Sequence, residues 1–253
     1  MREWYCCDNY ISDRHPGIER DGHPLTGLDW LAVLNPGEAP AAVTLTAFFA
    51  EAPPATYRLE AEPGRSTLLE LHRLAPALPR NEPFGLRVAS DRPVVAQATQ
   101  YEFRAFERLP EAAGSQVLYP GPLSDEREWY FADGFTCDGT GQRMWFEHER
   151  LYVLNPGPAE ARIDLTLYSE REASLLQYWV APERLHVLTF DDQPGFRWRR
   201  AADGLRSSVF FSLRLRSTVP VVVQKTRRDY VRFDPTVQGM WTAIGCPAAV
   251  GEG

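Results

Sequence analysis

The strongest constraint on the fold of this chain is that it contains one pattern twice. Arg2-Glu3-Trp4-Tyr5 recurs as Arg127-Glu128-Trp129-Tyr130, an offset of 125 residues. Val33-Leu34-Asn35-Pro36-Gly37 recurs as Val153-Leu154-Asn155-Pro156-Gly157, an offset of 120. Pro93-Val94-Val95-Ala96-Gln97-Ala98-Thr99 recurs as Pro220-Val221-Val222-Val223-Gln224-Lys225-Thr226, an offset of 127. Gly121-Pro122 closes one copy and Cys246-Pro247 the other. Matches in one order, with spacing that drifts by a few residues, are what a duplication followed by loop insertions leaves. The 253 residues therefore divide into two units of domain size, 1–122 and 123–253.

Each unit reads as β. Val43, Leu45 and Ala47 alternate with Thr44 and Thr46, and Ile163, Leu165 and Leu167 alternate with Asp164 and Thr166. Period two gives a strand one buried and one wet face. Asn-Pro-Gly ahead of each strand supplies a turn, because Pro presets φ and Gly accepts positive φ. Val209-Phe210-Phe211 and Val221-Val222-Val223 are apolar enough for central strands. With 21 prolines and 18 glycines, the chain is punctuated too often for long helices, and helix is confined to short turns such as Leu71–Leu78. The pattern predicts an all-β chain of two tandem antiparallel β-sandwich units, jelly-roll-like, with little helix.

Charge and composition exclude several classes. Residues 1–125 carry 11 arginines against 17 acids, and residues 126–253 carry 16 basic residues against 17 acids. Neither half is a basic footprint for duplex nucleic acid. No apolar run approaches the ~18–20 residues that cross a bilayer, so no membrane insertion is expected. The opening Met1-Arg2-Glu3-Trp4-Tyr5-Cys6-Cys7-Asp8 lacks an apolar signal core. The four cysteines are too sparse for a disulfide framework, so a reducing cytoplasm is the expected location. Lys225 is the sole lysine among 27 basic residues and reads as a compositional bias rather than as chemistry.

Residues of the second unit carry a resemblance. A strand ending Ala132-Asp133-Gly134-Phe135 follows Trp129. The Val153-to-Gly157 turn comes next, then an alternating strand ending Leu167-Tyr168-Ser169. Pro182-Glu183-Arg184 precedes another strand, and the unit closes on Val219-Pro220-Val221-Val222-Val223-Gln224-Lys225-Thr226-Arg227. Together these resemble the sensory rhodopsin transducer family over nearly all of residues 127–247, and collinearly over 2–122. The resemblance implies a β-sandwich per unit and a non-enzymatic transducer role beneath a membrane photoreceptor. It also implies sensor domains for sugars or related ligands in the wider family. Members of single-unit length are tetramers, so two fused chains are expected to supply four units as a homodimer with pseudo-fourfold symmetry.

The candidate ligand-binding residues are Asp133, His148, Glu149, Gln224, Thr226, Arg227 and Trp241 in the second unit, with Asp8, Gln97 and Thr99 in the first. Gln224 and Thr226, two apart in a strand, face one way and offer amide and hydroxyl groups to a polyol or carboxylate. The alternative is that they are the solvent-facing positions of an alternating strand. Arg227 faces the other way, toward an acid. Gln100 and Leu28-Asp29-Trp30 stand where the second unit has Arg227 and His148-Glu149-Arg150, so two sites would differ. The equivalent positions of Trp4 and Trp129 favour packing; Trp145, Trp198 and Trp241 belong to the second unit alone and suit a ligand or an interface. Phe196-Arg197-Trp198-Arg199-Arg200 mixes basic and aromatic residues and reads as a solvated loop. Cys6-Cys7 reads as buried, idle thiols.

No cofactor or metal is expected. His148-Glu149 begins like HExxH, but Tyr152 stands where the second histidine would be. Gly139-Thr140-Gly141 lacks the rest of a phosphate loop. The expectation is a non-catalytic cytoplasmic sensor or transducer-like protein that binds a small polar ligand or a partner protein, with the second unit as the place to look for binding. The alternatives are a carbohydrate-modifying enzyme on a jelly-roll-like scaffold, which needs convergent carboxylates such as Asp133, Glu149 or Asp8, and a purely structural assembly module.

Overall fold

Apolar alternation lays down the strands in both copies. Ala41, Val43, Leu45 and Ala47 are buried while Ala42 is exposed, and Ala161, Ile163, Leu165 and Leu167 are buried while Arg162 is exposed. The computed structural model describes residues 2–11, 19–20, 23–24, 29–74, 76–102, 112–116, 118–120, 123, 125–136, 145–169, 173–190, 209–231 and 238–247.

The chain forms two compact units, Met1–Pro122 and Leu123–Gly253. The first holds β1 (Glu3–Tyr10), β2 (Glu19–Arg20), β3 (His23–Pro24), β4 (Asp29–Asn35), β5 (Ala41–Phe48), β6 (Ala55–Ala61), β7 (Arg65–Glu70), β8 (Pro83–Ser90), β9 (Val95–Glu102), β10 (Ala112–Gln116) and β11 (Tyr119–Pro120). The expected turn of helix is a short 3-10 segment, Leu71–Arg73. The second unit holds β12 (Glu128–Thr136), β13 (Trp145–Asn155), β14 (Ala161–Ser169), β15 (Ala173–Val180), β16 (Arg184–Thr189), β17 (Val209–Ser217), β18 (Val222–Val231), β19 (Gln238–Ile244) and β20 (Cys246–Pro247).

Each unit is a sandwich of a five-stranded and a four-stranded sheet, and the order repeats strand for strand. The orders are β11-β1-β8-β5-β6 and β10-β9-β4-β7 in the first unit, and β20-β12-β17-β14-β15 and β19-β18-β13-β16 in the second. The residues between the sheets form the core; in the first unit Leu31, Val33 and Ala96 from one sheet meet Val43, Leu45, Phe84 and Leu86 from the other. Among the described residues, no helix is long and apolar enough to cross a membrane.

The repeated motifs do the same work in each copy. Trp4 donates its indole N–H to the Val94 carbonyl at 3.1 Å, and Trp129 to the Val221 carbonyl at 3.1 Å. Each indole thus ties the first strand of one sheet to the start of a strand in the other. Trp129 is fully buried and Trp4 half-buried, so the packing role expected for this pair holds. The buried Asn35 donates to the Ala39 and Ala61 carbonyls at 2.9 and 2.8 Å and accepts the Gly37 N–H at 2.9 Å. Asn155 does the same toward Ala159, Val180 and Gly157, at 2.8, 3.1 and 3.2 Å. The asparagine of Asn-Pro-Gly is therefore a pin between a turn and the end of a neighbouring strand, satisfying carbonyls that burial would leave unpaired.

One turn has lost its glycine. Gly64 has a φ of 65° between β6 and β7, and Glu183 stands between β15 and β16 with a φ of 55°. A non-glycine residue in the left-handed region costs about 1–2 kcal/mol, partly offset by the greater chain entropy of glycine when unfolded. Glu183→Gly is expected to stabilise the protein by about 0.5–1 kcal/mol, seen as a higher Tm; an unchanged or lower Tm would count against strain at this turn.

Candidate functional site

Both first strands carry a bulge. The pairing register of β1 with β8 shifts between Cys6 and Asn9, and that of β12 with β17 between Phe131 and Gly134. A bulge takes two residues against one and leaves local backbone groups outside the ladder, so something must satisfy them. In the first unit Asn9 does so, donating to the Phe84 carbonyl at 3.1 Å and the Cys6 carbonyl at 3.4 Å. In the second unit Gly134 stands in its place. The Phe211 ring lies against this glycine, where any Cβ would collide with it.

The polar work at the second bulge falls to an ion pair. Lys225 Nζ lies 3.3 and 3.2 Å from the two Glu149 carboxylate oxygens and donates to the Asp133 carbonyl. Glu149 Oε1 also accepts the Phe135 N–H at 2.9 Å. The side chains of Lys225 and Glu149 are 7% and 0% exposed. Burial pushes the Glu149 carboxyl above the ordinary carboxylate range, against the opposing pull of Lys225 and the Phe135 N–H. Lys225 also sits 6.0 Å from the Phe211 ring, and Arg227 lies 5.2 Å over Phe135.

This corrects the compositional reading of the sole lysine. Val221, Val223 and Lys225 are in phase on β18 and its approach, and Ala98 occupies the Lys225 position in the first unit. A lysine in phase with core valines was the signal; it becomes meaningful only when Glu149, 76 residues away, is placed across the sheet.

The structure brings Asp133, Glu149 and Arg227 together around this pair. Asp133 takes part through its backbone carbonyl while the residue itself is exposed. Arg227 points to the Lys225 side of β18, opposite Gln224 and Thr226, as the strand period requires. Gln224 and Thr226 are 1% and 0% exposed, which overturns the solvent-facing alternative. Asp8 is buried, Gln97 exposed and Thr99 half-buried. His148 stands opposite Arg228, and Trp241 opposite Arg227, in the ladders of β18; their side chains lie outside the described residues, as do Trp198 and the whole of 196–200. Cys6 and Cys7 are buried and, among the described residues, form no disulfide. Among the described residues, no group of three His, Cys, Asp or Glu side chains is placed to hold a metal ion.

An open cleft lies elsewhere, at one end of the first sandwich. Arg2, Asn35, Gly37, Glu38, Asp91 and Arg92 line a volume of about 450 Å³. The Asn-Pro-Gly turn forms one wall and the turn between β8 and β9 the other. Asp91 Oδ1 accepts the Ala42 N–H at 2.8 Å, and Ser90 N–H donates to the Arg2 carbonyl at 2.9 Å, so the walls are fixed by backbone. Among the described residues, the guanidinium groups of Arg2 and Arg92 have no acidic partner. The second unit differs here. Arg127, in the place of Arg2, pairs with Asp125 at 2.9 Å, and Val219 stands in the place of Arg92.

Both units match the family model described as Anabaena sensory rhodopsin transducer, over residues 1–110 and 124–240. The chain belongs to the Anabaena sensory rhodopsin transducer family. Its two matched segments are two transducer-family units in tandem, and each is the β-sandwich that the alternating strands predict. Among solved structures, Thermotoga maritima 1070 is similar at 24% identity and a TM-score of 0.37, over 45% of this chain and 90% of that one. Anabaena sensory rhodopsin transducer is similar at 23% identity and a TM-score of 0.34, over 38% of this chain and 84% of that one. The comparison with curated proteins gives no match.

Proposed function

We propose that this chain is a non-catalytic, transducer-like binding protein of the cytoplasm whose first unit takes a small polar ligand bearing a negative charge. The cleft carries this reading. Two arginines without acidic partners among the described residues face one volume of about 450 Å³, and a planar guanidinium is suited to bidentate contact with a carboxylate or phosphate. Glu38 and Asp91 on the same walls offer acceptors for hydroxyl groups. A hydroxylated carboxylic acid, such as a sugar acid, has both features. The preferred unit is thus the first rather than the second, where Arg127 is already paired and the candidate residues Glu149, Gln224 and Thr226 are enclosed. A protein partner is proposed on the family likeness, the relative from Anabaena being by name a transducer for a rhodopsin. A homodimer of two-unit chains completes the reading.

A thermal-shift series tests it. Sugar acids and hydroxy acids are expected to raise the Tm of the wild type, since a ligand that binds only the native state stabilises by mass action. Neutral polyols of the same size should act more weakly. Arg92→Ala should abolish the shift while leaving the unliganded stability within about 0.5 kcal/mol of wild type, as usual for an exposed side chain. Equal shifts in wild type and Arg92→Ala, or none with any acid, would sink the cleft as the site.

A further inference from the structure

β15 closes one side of its five-stranded sheet and, among the described residues, pairs with β14 alone. Its outward positions are exposed, with Leu175 at 60% and Trp179 at 58%. An edge strand presents unpaired N–H and C=O groups to any strand that arrives, and proteins blunt such edges with charges, prolines or bulges. The sequence of β15, ASLLQYWV, has no charge and no proline, and its ladder with β14 runs without a register shift. The equivalent edge of the first unit, β6, is blunted: its exposed positions are Thr56, Arg58 and Glu60, where β15 has Leu175, Gln177 and Trp179.

We propose that β15 is the surface through which two copies of this chain pair, antiparallel, about a two-fold axis through Gln177. The inference rests on the homodimer proposed above and gives it a surface and a register, a two-fold contact of second unit with second unit in place of the pseudo-fourfold arrangement that the family resemblance implies. Residues directly opposed in a sheet point to the same face, so a two-fold axis perpendicular to the sheet must pass through a residue. An axis through Gln177 sets Leu175 against Trp179 of the copy, twice, on the outer face. It sets Leu176 against Tyr178 on the inner face and the neutral Gln177 amide against itself. An axis through Leu175 or Trp179 carries the other large residue past the end of the strand. An axis through Leu176 or Tyr178 sets Leu175 and Trp179 against glutamine or alanine.

The charges favour a second copy as the occupant. On β14, Asp164 lies beside Gln177 and Arg162 beside Trp179, and the Gln177 amide donates to Asp164 at 2.8 Å. In the paired sheet the two Asp164 residues stand three strand spacings apart, about 14 Å at ~4.8 Å each, beyond the ~8 Å screening length at physiological salt. The same pairing of β6 would set Arg58 directly against Arg58, which is unfavourable. One edge is thus self-complementary and the other self-repelling.

Light scattering and cysteine cross-linking test this. The wild type is expected at twice the 28.7 kDa chain mass. Gln177→Arg, which copies β6, is expected to halve that mass at low salt, with partial recovery at high salt and an unchanged circular dichroism spectrum. Gln177→Cys is expected to give a disulfide-linked dimer on mild oxidation, because a residue on the axis faces its own copy at disulfide distance. Leu175→Cys and Arg58→Cys should stay unlinked. A dimeric wild type in which Gln177→Arg remains dimeric and Gln177→Cys remains unlinked would overturn the edge while leaving the homodimer standing. A monomeric wild type would overturn both.

Discussion

Lys225→Met is expected to cost about 3–5 kcal/mol of stability, read as a lower denaturation midpoint at pH 7. The lysine makes up for two deficits at once: the negative charge of Glu149 and the Asp133 carbonyl at the bulge. Methionine keeps the volume and removes the charge, so Glu149 stays buried at 0% exposure with the Phe135 N–H as its remaining close donor. The second half of the test is Lys225→Met with Glu149→Leu. Replacing both members of a buried pair by apolar residues is often neutral or stabilising, so the double variant should regain most of the loss. A double variant as unstable as the single one would show that the pair is not the source of the effect.

The pH dependence of the single variant follows in sign. Burial holds the Glu149 carboxyl above its ordinary range, and Lys225 opposes that. Removing Lys225 takes away the largest opposing influence and leaves the Phe135 N–H and the Arg227 charge against the upward push. A carboxyl whose folded-state pKa is raised contributes stability below its unfolded value, near 4.3, and loses it as pH rises through the folded value. The stability gap between wild type and Lys225→Met should therefore be widest at neutral pH and narrow as pH falls toward 4. A gap independent of pH would point to lost packing rather than a stranded charge.

Trp129→Ala is the second large effect, expected at about 3–5 kcal/mol. The indole is fully buried, and its removal opens a cavity between two sheets whose other side chains cannot close in. It also strips the Val221 carbonyl of its donor. Trp129→Phe separates the two contributions, since it fills much of the space without the N–H; the unsatisfied carbonyl should cost about 1–3 kcal/mol. Trp4→Ala in the first unit should cost less, because Trp4 is half-buried. Equal losses at the two positions would mean that the indoles act through the shared hydrogen bond and not through packing.

The fold was legible because its signals are local and occur twice. Period-two alternation at Val43–Ala47 and Ile163–Leu167, a turn at each Asn-Pro-Gly and an indole at each unit start are read residue by residue, and the duplication checks every one. Strand ends were less legible: β18 runs on to Val231, well beyond the apolar run Val221-Val222-Val223. The site was far less legible, because its chemistry depends on distances across the sequence. Lys225 and Glu149 are ordinary residues until β13 and β18 pair. The cleft joins Arg2 to Arg92 only after β1 and β8 are neighbours. Nothing local marks β15 as an edge or Trp179 as exposed. Gln224 and Thr226 were placed on one face correctly, but strand period alone does not say whether that face is covered.

The identical strand order of the two units carries a hazard for the nascent chain. Each strand of the two sandwich sheets has a counterpart elsewhere in the same molecule with nearly the same pattern, so a strand of one copy can be recruited into the sheet of the other, a characteristic failure of tandem repeats. Divergence at the bulge works against that exchange. β12 in the place of β1 brings Gly134 where Asn9 must bond the Phe84 carbonyl. β18 in the place of β9 buries Lys225 at the alanine position, away from Glu149. Polar residues that add little net stability to the correct structure make the exchanged one costly, and so keep two look-alike halves from folding into each other.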